Sequence, residues 1–262
     1  MHISRRLRRP VATLALGLAL TLTAACGSDD DTARTPGDPV TQSEAKVLAN
    51  VLYEDFQAGG ADFTLSAPFA EDATITLTGQ MDFRRGIGSA RAVTTHTNGQ
   101  PDESRTLFFT TSDIWFGDVP GLGDALTAAG LPPATYVKRP IASTSSSGTP
   151  SLVDVLVQLV PRLSARQADD PRSFTENDAY TWRGSRTIGG QLVSLYRSSG
   201  GATIAVSTQD HRLVQYVTRL PDQDFDVTIT LTKHGDREIT LPADADTVDA
   251  TAHPDVAQKV GV

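Results

Sequence analysis

Residues 225–232, Phe-Asp-Val-Thr-Ile-Thr-Leu-Thr, alternate apolar and polar side chains without a break. Successive side chains leave a strand on opposite faces, so Phe225, Val227, Ile229 and Leu231 make a dry face and Asp226, Thr228, Thr230 and Thr232 a wet one. Burying each apolar side chain is worth roughly 1.5–3 kcal/mol. A one-residue slip would turn all four to solvent, so the register is fixed. Similar segments recur over 180–241, separated by Gly189-Gly190, Ser199-Gly200-Gly201, Gln209-Asp210, Pro221-Asp222-Gln223-Asp224 and Gly235-Asp236. Connections this short join antiparallel neighbours. The stretch is therefore predicted to be an antiparallel meander with one apolar face. It closes in a short strand, Glu238-Ile239-Thr240-Leu241, which Pro242 ends; the acidic tail from Ala243 is expected to pack loosely. Tyr180, Trp182 and Ile188 share one face, as do Val214, Tyr216 and Leu220. Residues 192–196 are apolar on both faces apart from Ser194, which calls for cover on both sides.

The first half prepares a second set of strands. Thr41-Gln42-Ser43-Glu44 fits a capping box, Val47, Leu48, Val51, Leu52 and Phe56 follow at helical spacing, and Gly59-Gly60 stops the helix. Strands are predicted at 63–67, at 74–83 with Ile75, Leu77, Gly79, Met81 and Phe83 on one face, at 90–97, at 105–111 and at 114–116. Asn98-Gly99 is a hairpin signal. A short helix is expected over 124–129, and 142–150 (ASTSSSGTP) reads as a Ser/Thr loop. Ser151 caps a further helix in which Ser151, Asp154, Gln158, Arg162 and Arg166 form one narrow polar stripe; apart from Pro161, every other residue over 152–163 is Leu or Val. An ordinary surface helix carries an apolar stripe little more than ~100° wide. This one either packs on the back of a curved sheet or forms a lid over a hollow. Pro161 has no N–H to return to Val157, so a break is expected near Val160.

Arg5, Arg6, Arg8 and Arg9, then the apolar run 11–20, then Leu22-Thr23-Ala24-Ala25-Cys26-Gly27 describe an export signal ending in cysteine. This ending resembles the lipobox of bacterial lipoproteins, with Thr23 where leucine is common; the resemblance implies cleavage before Cys26, the single cysteine, and its acylation. Two or more acyl chains anchor stably, at roughly 0.8 kcal/mol per buried CH₂. Losing 1–25 removes four Arg and takes the net charge from −8 to −12, which suits a body held off an anionic surface and argues against nucleic acid as a partner. Residues 26–41, with Cys26 at their head, are polar, acidic and rich in Pro and Gly, and read as a flexible tether.

No catalytic constellation emerges. There is no G-x-S-x-G, H-E-x-x-H or P-loop. Gly86-Ile87-Gly88 and Gly121-Leu122-Gly123 lack the third glycine of a dinucleotide fingerprint and read as turns; the five histidines are scattered, with His211 and His234 beside turn residues. No metal and no cofactor is expected, and the chain is read as non-enzymatic.

The element order, with the closing segments Leu213-Val214-Gln215-Tyr216-Val217, Val227-Thr228-Ile229-Thr230-Leu231 and Ile239-Thr240-Leu241-Pro242, resembles actinobacterial LppX/LprG-type lipoproteins and, more distantly, the LolA/LolB carriers. The resemblance implies an α+β fold over 42–250: a strongly curved antiparallel half-barrel with helices over its concave face, followed by a tail, 251–262. It implies a hollow for a lipid, glycolipid or acylated ligand, bound and possibly handed on by a monomer anchored at the extracytoplasmic face of the membrane. Combined with the apolar faces above, the candidate walls are Ile75, Leu77, Met81, Trp115, Leu152, Leu156, Leu159, Trp182, Val227 and Ile229. The alternative is a non-catalytic interaction or sensor domain on the same fold with a closed core, as in RseB-like regulators. A hydrolase would need a Ser–His pair within hydrogen-bonding reach.

Overall fold

A computed structural model describes residues 34–142, 151–221 and 223–262. The lipobox with Cys26 and most of the Ser/Thr loop lie outside the described residues.

Helix α1 (Gln42–Ala58) starts at the expected capping box. The Glu44 N–H donates to Thr41 Oγ1 at 3.3 Å, and the Thr41 N–H to Glu44 Oε2 at 2.8 Å. Six strands follow with two-to-six-residue turns or short connections: β1 (Gly60–Ala70), β2 (Ala73–Asp82), β3 (Ile87–His96), β4 (Glu103–Phe109), β5 (Asp113–Gly117) and, after helix α2 (Leu122–Ala128), β6 (Tyr136–Pro140). Helix α3 (Leu152–Leu159) runs into a 3₁₀ turn, Pro161–Leu163, so the break falls where Pro161 predicted it. Two further 3₁₀ turns, Pro171–Phe174 and Glu176–Asp178, lead to the second meander: β7 (Tyr180–Ile188), β8 (Gln191–Ser198), β9 (Thr203–Ser207), β10 (Leu213–Arg219) and β11 (Asp226–Thr232). Strand β12 (Thr247–Asp249) and helix α4 (Pro254–Val260) close the chain.

The twelve strands among the described residues form one open sheet in the order β12-β6-β5-β4-β3-β2-β1-β11-β10-β9-β8-β7. Every neighbouring pair is antiparallel except the parallel β12–β6 edge. The two meanders meet at β1 and β11, where Phe63 faces Leu231 and Leu65 faces Ile229. The register predicted from alternation holds, with Val227, Ile229 and Leu231 at most 1% exposed. Strongly twisted open sheets of more than about ten strands curl, split or flatten. Here α1, α2, α3 and α4 share one buried apolar cluster with residues from β5 and β6 at one end, such as Phe116 and Val137, and with Tyr196 and Val206 of β8 and β9 at the other. The fold is an α+β half-barrel, not closed. A small second cluster, Val193, Ala205 and Val214 with Ile188 and Leu195 packed against it, forms on the other face of β8–β10; its members all belong to the sheet itself, and Leu192 is 56% exposed.

Three expectations need correction. No strand forms at Glu238-Ile239-Thr240-Leu241, because the free edge of β11 is already taken by β1. Ile239 is buried all the same, its carbonyl accepting from Arg85 Nη2 at 3.0 Å. The tail is not loose: Val248 sits in β12, and Val256 and Ala257 of α4 are buried where α4 meets α2. The polar stripe of α3 is divided: Ser151, Arg162 and Arg166 are exposed, whereas its middle is turned inward. Asp154 is 1% exposed and takes Arg139 Nη1 of β6 at 2.8 and 3.1 Å, and Gln158 Nε2 donates to the Ala142 carbonyl at 3.3 Å. His234 is no surface residue, as set out below.

Of the expected tether, residues 35–40 lie along the outer edge of β7. Gly37 N–H donates to the Trp182 carbonyl at 2.7 Å, Trp182 N–H to Asp38 at 2.8 Å and Val40 N–H to Tyr180 at 3.4 Å. Val40 is buried.

Candidate functional site

Helix α1 crosses the core face and is fixed at both ends. Near its start, the Tyr196 hydroxyl of β8 donates to Glu44 Oε1 at 3.2 Å. At its end, Arg84 donates to the Gln57 carbonyl and pairs with Asp236 at 2.7 Å. The segment after the Pro161–Leu163 turn runs back along the helix. Ala165 N–H donates to the Leu52 carbonyl at 2.9 Å and Asp169 N–H to the Ala49 carbonyl at 2.8 Å. The Arg166 guanidinium stands over the Phe56 ring, 5.9 Å from its centre.

Between α1, this returning segment and the second meander lies a cavity of about 290 Å³. Leu48, Val51 and Leu52 supply its α1 wall, Ile204, Leu213 and Tyr216 its sheet wall. Leu159 at the end of α3, then Leu163, Phe174 and Tyr180, complete the apolar lining. Phe174 and Tyr180 stack tilted by 37°, with centres 4.9 Å apart. Arg162 and Asp169 are exposed and mark the mouth. Burial, with Tyr216 and Asp169 nearby, pushes the Tyr180 phenol above its ordinary pKa. It therefore stays a neutral hydrogen-bond donor at neutral pH. A mostly apolar hollow with a few polar groups is the usual chemistry of a small-molecule site. Clefts of about 370 Å³ beside α2 and about 400 Å³ beside Ser43 and His211 have more acid, hydroxyl and imidazole groups in their walls.

The ten residues singled out from sequence fall in three places. Leu159 lines the cavity. Ile75, Leu77, Met81, Leu156, Val227 and Ile229 are buried in the main cluster, against which Leu152 and Trp182 pack half-buried. Trp115 is buried outside that cluster, under Lys138, whose Nζ is 5.2 Å from the ring centre. Its neighbours Ile114 and Phe116 belong to the cluster, and alternation sends Trp115 the other way. The α1 residues Leu48, Val51 and Leu52 were legible as an apolar stripe, but nothing local tied them to Leu213 or Phe174.

Beside this cavity, one turn along α1 from Val51, Asp55 is fully buried. Its Oδ1 lies 3.2 Å from Nε2 of His234, within ion-pair range, yet neither Asp55 oxygen nor that nitrogen makes a well-aligned hydrogen bond. Burial raises the Asp55 pKa to about 6, against the opposing pull of His234, the Leu213 backbone and Arg212. Among the described residues no group of His, Cys, Asp and Glu is placed to hold a metal, and no helix is long and apolar enough to cross a membrane.

The fold and the cavity define an α+β half-barrel with an apolar hollow under its helices. No protein-family model and no curated protein matches the sequence. Among solved structures, that of LprF from Mycobacterium bovis is similar: 14% identity, a TM-score of 0.44, and coverage of 79% of this chain and 99% of that one.

Proposed function

We propose that this is an exported lipoprotein, acylated at Cys26 and held at the extracytoplasmic face of the membrane, that binds a lipid-like ligand in the cavity between α1, α3 and β9–β10. The cavity carries the reading: its walls are Leu, Val, Ile and aromatic side chains, with charge confined to Arg162 and Asp169. The basic run, apolar run and Cys26 of the first residues support the anchor, and the resemblance to LppX/LprG-type lipoproteins supports the ligand class. The reading contains no catalytic step. Lipid extraction and native mass spectrometry of the purified protein test it. The expected result is a bound amphiphile in a substantial fraction of molecules, and repeated recovery of bare protein would overturn it. Labelling with an alkyne fatty acid tests the anchor, which Cys26→Ser is expected to abolish.

A second reading, an interaction or sensor domain with a closed core, has one observation in its favour. Leu77, Met81, Val227 and Ile229 are completely buried, so much of the concave face is filled by protein. That reading expects no change in melting temperature with any lipid.

A further inference from the structure

The inference here rests on the reading of the cavity as a ligand site and specifies the ligand. We infer that the cavity takes a single alkyl chain of about a dozen carbons whose anionic head group is held at its mouth by Arg162.

The chain count follows from volume and packing. A cavity of ~150 Å³ accommodates benzene, so at the same filling one of about 290 Å³ holds roughly a dozen carbon atoms. Enlargement is blocked on several sides. Val51, Leu163 and Leu213 are each under 5% exposed and belong to the packed core, and Phe174 is braced against Tyr180. Beyond them, the half of the sheet built from β1–β5 is occupied by Leu65, Leu77, Met81 and Phe109, none of them exposed. A second chain would have to displace this core, whose density leaves little slack.

The head group follows from charge. Among the described residues the Arg162 guanidinium has neither an ion pair nor a hydrogen bond, although it stands in the cavity wall. Arg166, over Phe56, adds a second cation on the same segment. Asp169 is the one carboxylate in the wall. Arg172 and Asp170 pair with each other at 2.6 Å and cancel. The wall itself carries one cation, the unpaired Arg162, against the Asp169 carboxylate, and Tyr180 brings a neutral phenol to the lining. A carboxylate or phosphate monoester satisfies a guanidinium in paired hydrogen bonds, which a neutral glyceryl head does not.

The test uses the mature chain from residue 26 onward, made without residues 1–25 and with Cys26→Ser, so that no detergent competes for the cavity. It is titrated with sodium dodecanoate, with monododecanoylglycerol and with dioleoyl phosphatidylglycerol vesicles, and stoichiometry is read by native mass spectrometry. Dodecanoate is expected to bind one to one, about tenfold more tightly than the neutral glyceride, the usual worth of one charged hydrogen bond. Arg162→Gln is expected to erase that tenfold preference, and Ile204→Trp to abolish binding of both. Leu52→Trp replaces the latter if circular dichroism finds it unfolded. Capture of the intact two-chain lipid as readily as dodecanoate would overturn the chain count and leave the ligand site standing. Equal affinity for the two single-chain probes, unchanged in Arg162→Gln, would overturn the head-group assignment alone. Binding of no probe, or binding that survives both tryptophan substitutions, would overturn the ligand site as well.

Discussion

Asp55 is a carboxylate without water around it, on the apolar side of α1. Its raised pKa, about 6 against an ordinary 3.8, means the folded state holds the proton more tightly than the unfolded chain does. The resulting stability is fully present below pH 3.8 and is lost as the pH rises through 6. The groups facing it are His234 after β11, Arg212 and the Leu213 backbone at the start of β10, with Asp210 sensing the same His234 and Arg212. Over that window the wild type is expected to lose about 3 kcal/mol relative to Asp55→Asn. Urea titrations of both proteins between pH 4 and 7 measure this, and a constant difference would refute it. A second residue-scale prediction concerns Gly88. A Cβ built there falls 2.1 Å from the Phe109 ring, so the missing side chain is the slot in which Phe109 lies. Gly88→Val is expected to cost about 1–3 kcal/mol through overpacking, with part recovered by Phe109→Leu in a double-mutant cycle. The sequence hides both sites. Asp55 follows Leu48 and Val51 at helical spacing and so stands on the buried stripe, but its charge suggests the opposite; its partner His234 is remote and has no local signature.

At the scale of elements, α3 gives the sharpest disagreement between pattern and position. Its Leu and Val content demanded burial on most sides, and Leu156, Val157 and Val160 are indeed inaccessible. The polar stripe is also turned inward at Asp154, because β6 supplies Arg139, itself resting 5.0 Å from the centre of the Phe116 ring. Removing one partner of a buried pair strands the other, so Asp154→Ala is expected to cost about 3–5 kcal/mol. Asp154→Leu combined with Arg139→Met is expected to recover most of it. Denaturant midpoints of the two variants decide the matter, and an Asp154→Ala loss below about 1 kcal/mol would mean the pair is solvated, as an exposed pair would be. Strand alternation and turn residues made β7–β11 readable one by one, since each is specified by its own residues. The absent strand at 238–241 was not readable, because whether an edge is free depends on a pairing with β1 far away in sequence.

At the scale of the whole molecule, a sheet open at both ends must protect those ends from other chains. The β12 edge is three residues long, and α4 follows it directly. The β7 edge is treated differently. Residues 35–40 cover Tyr180–Trp182, and beyond them a register shift with Gly184 at φ +102 distorts the strand. This strap also sets where any pull from the N-terminal side enters the fold. Eight residues lie between Cys26 and Thr35, a span of nine Cα steps that reaches at most roughly 30 Å when fully extended. Tyr180, whose carbonyl receives the last bond of the strap, is also a wall of the cavity. Val40 holds the strap down with 6% of its surface exposed, so Val40→Asp places an unpaired charge in an apolar seat. The expected outcome is selective: amide exchange at Gly37 and Trp182 rises by at least tenfold, while the β1–β11 seam stays protected, because the strap contributes no strand to the sheet. Exchange that rises equally at Leu65 and Ile229 would mean that the strap and the core open together.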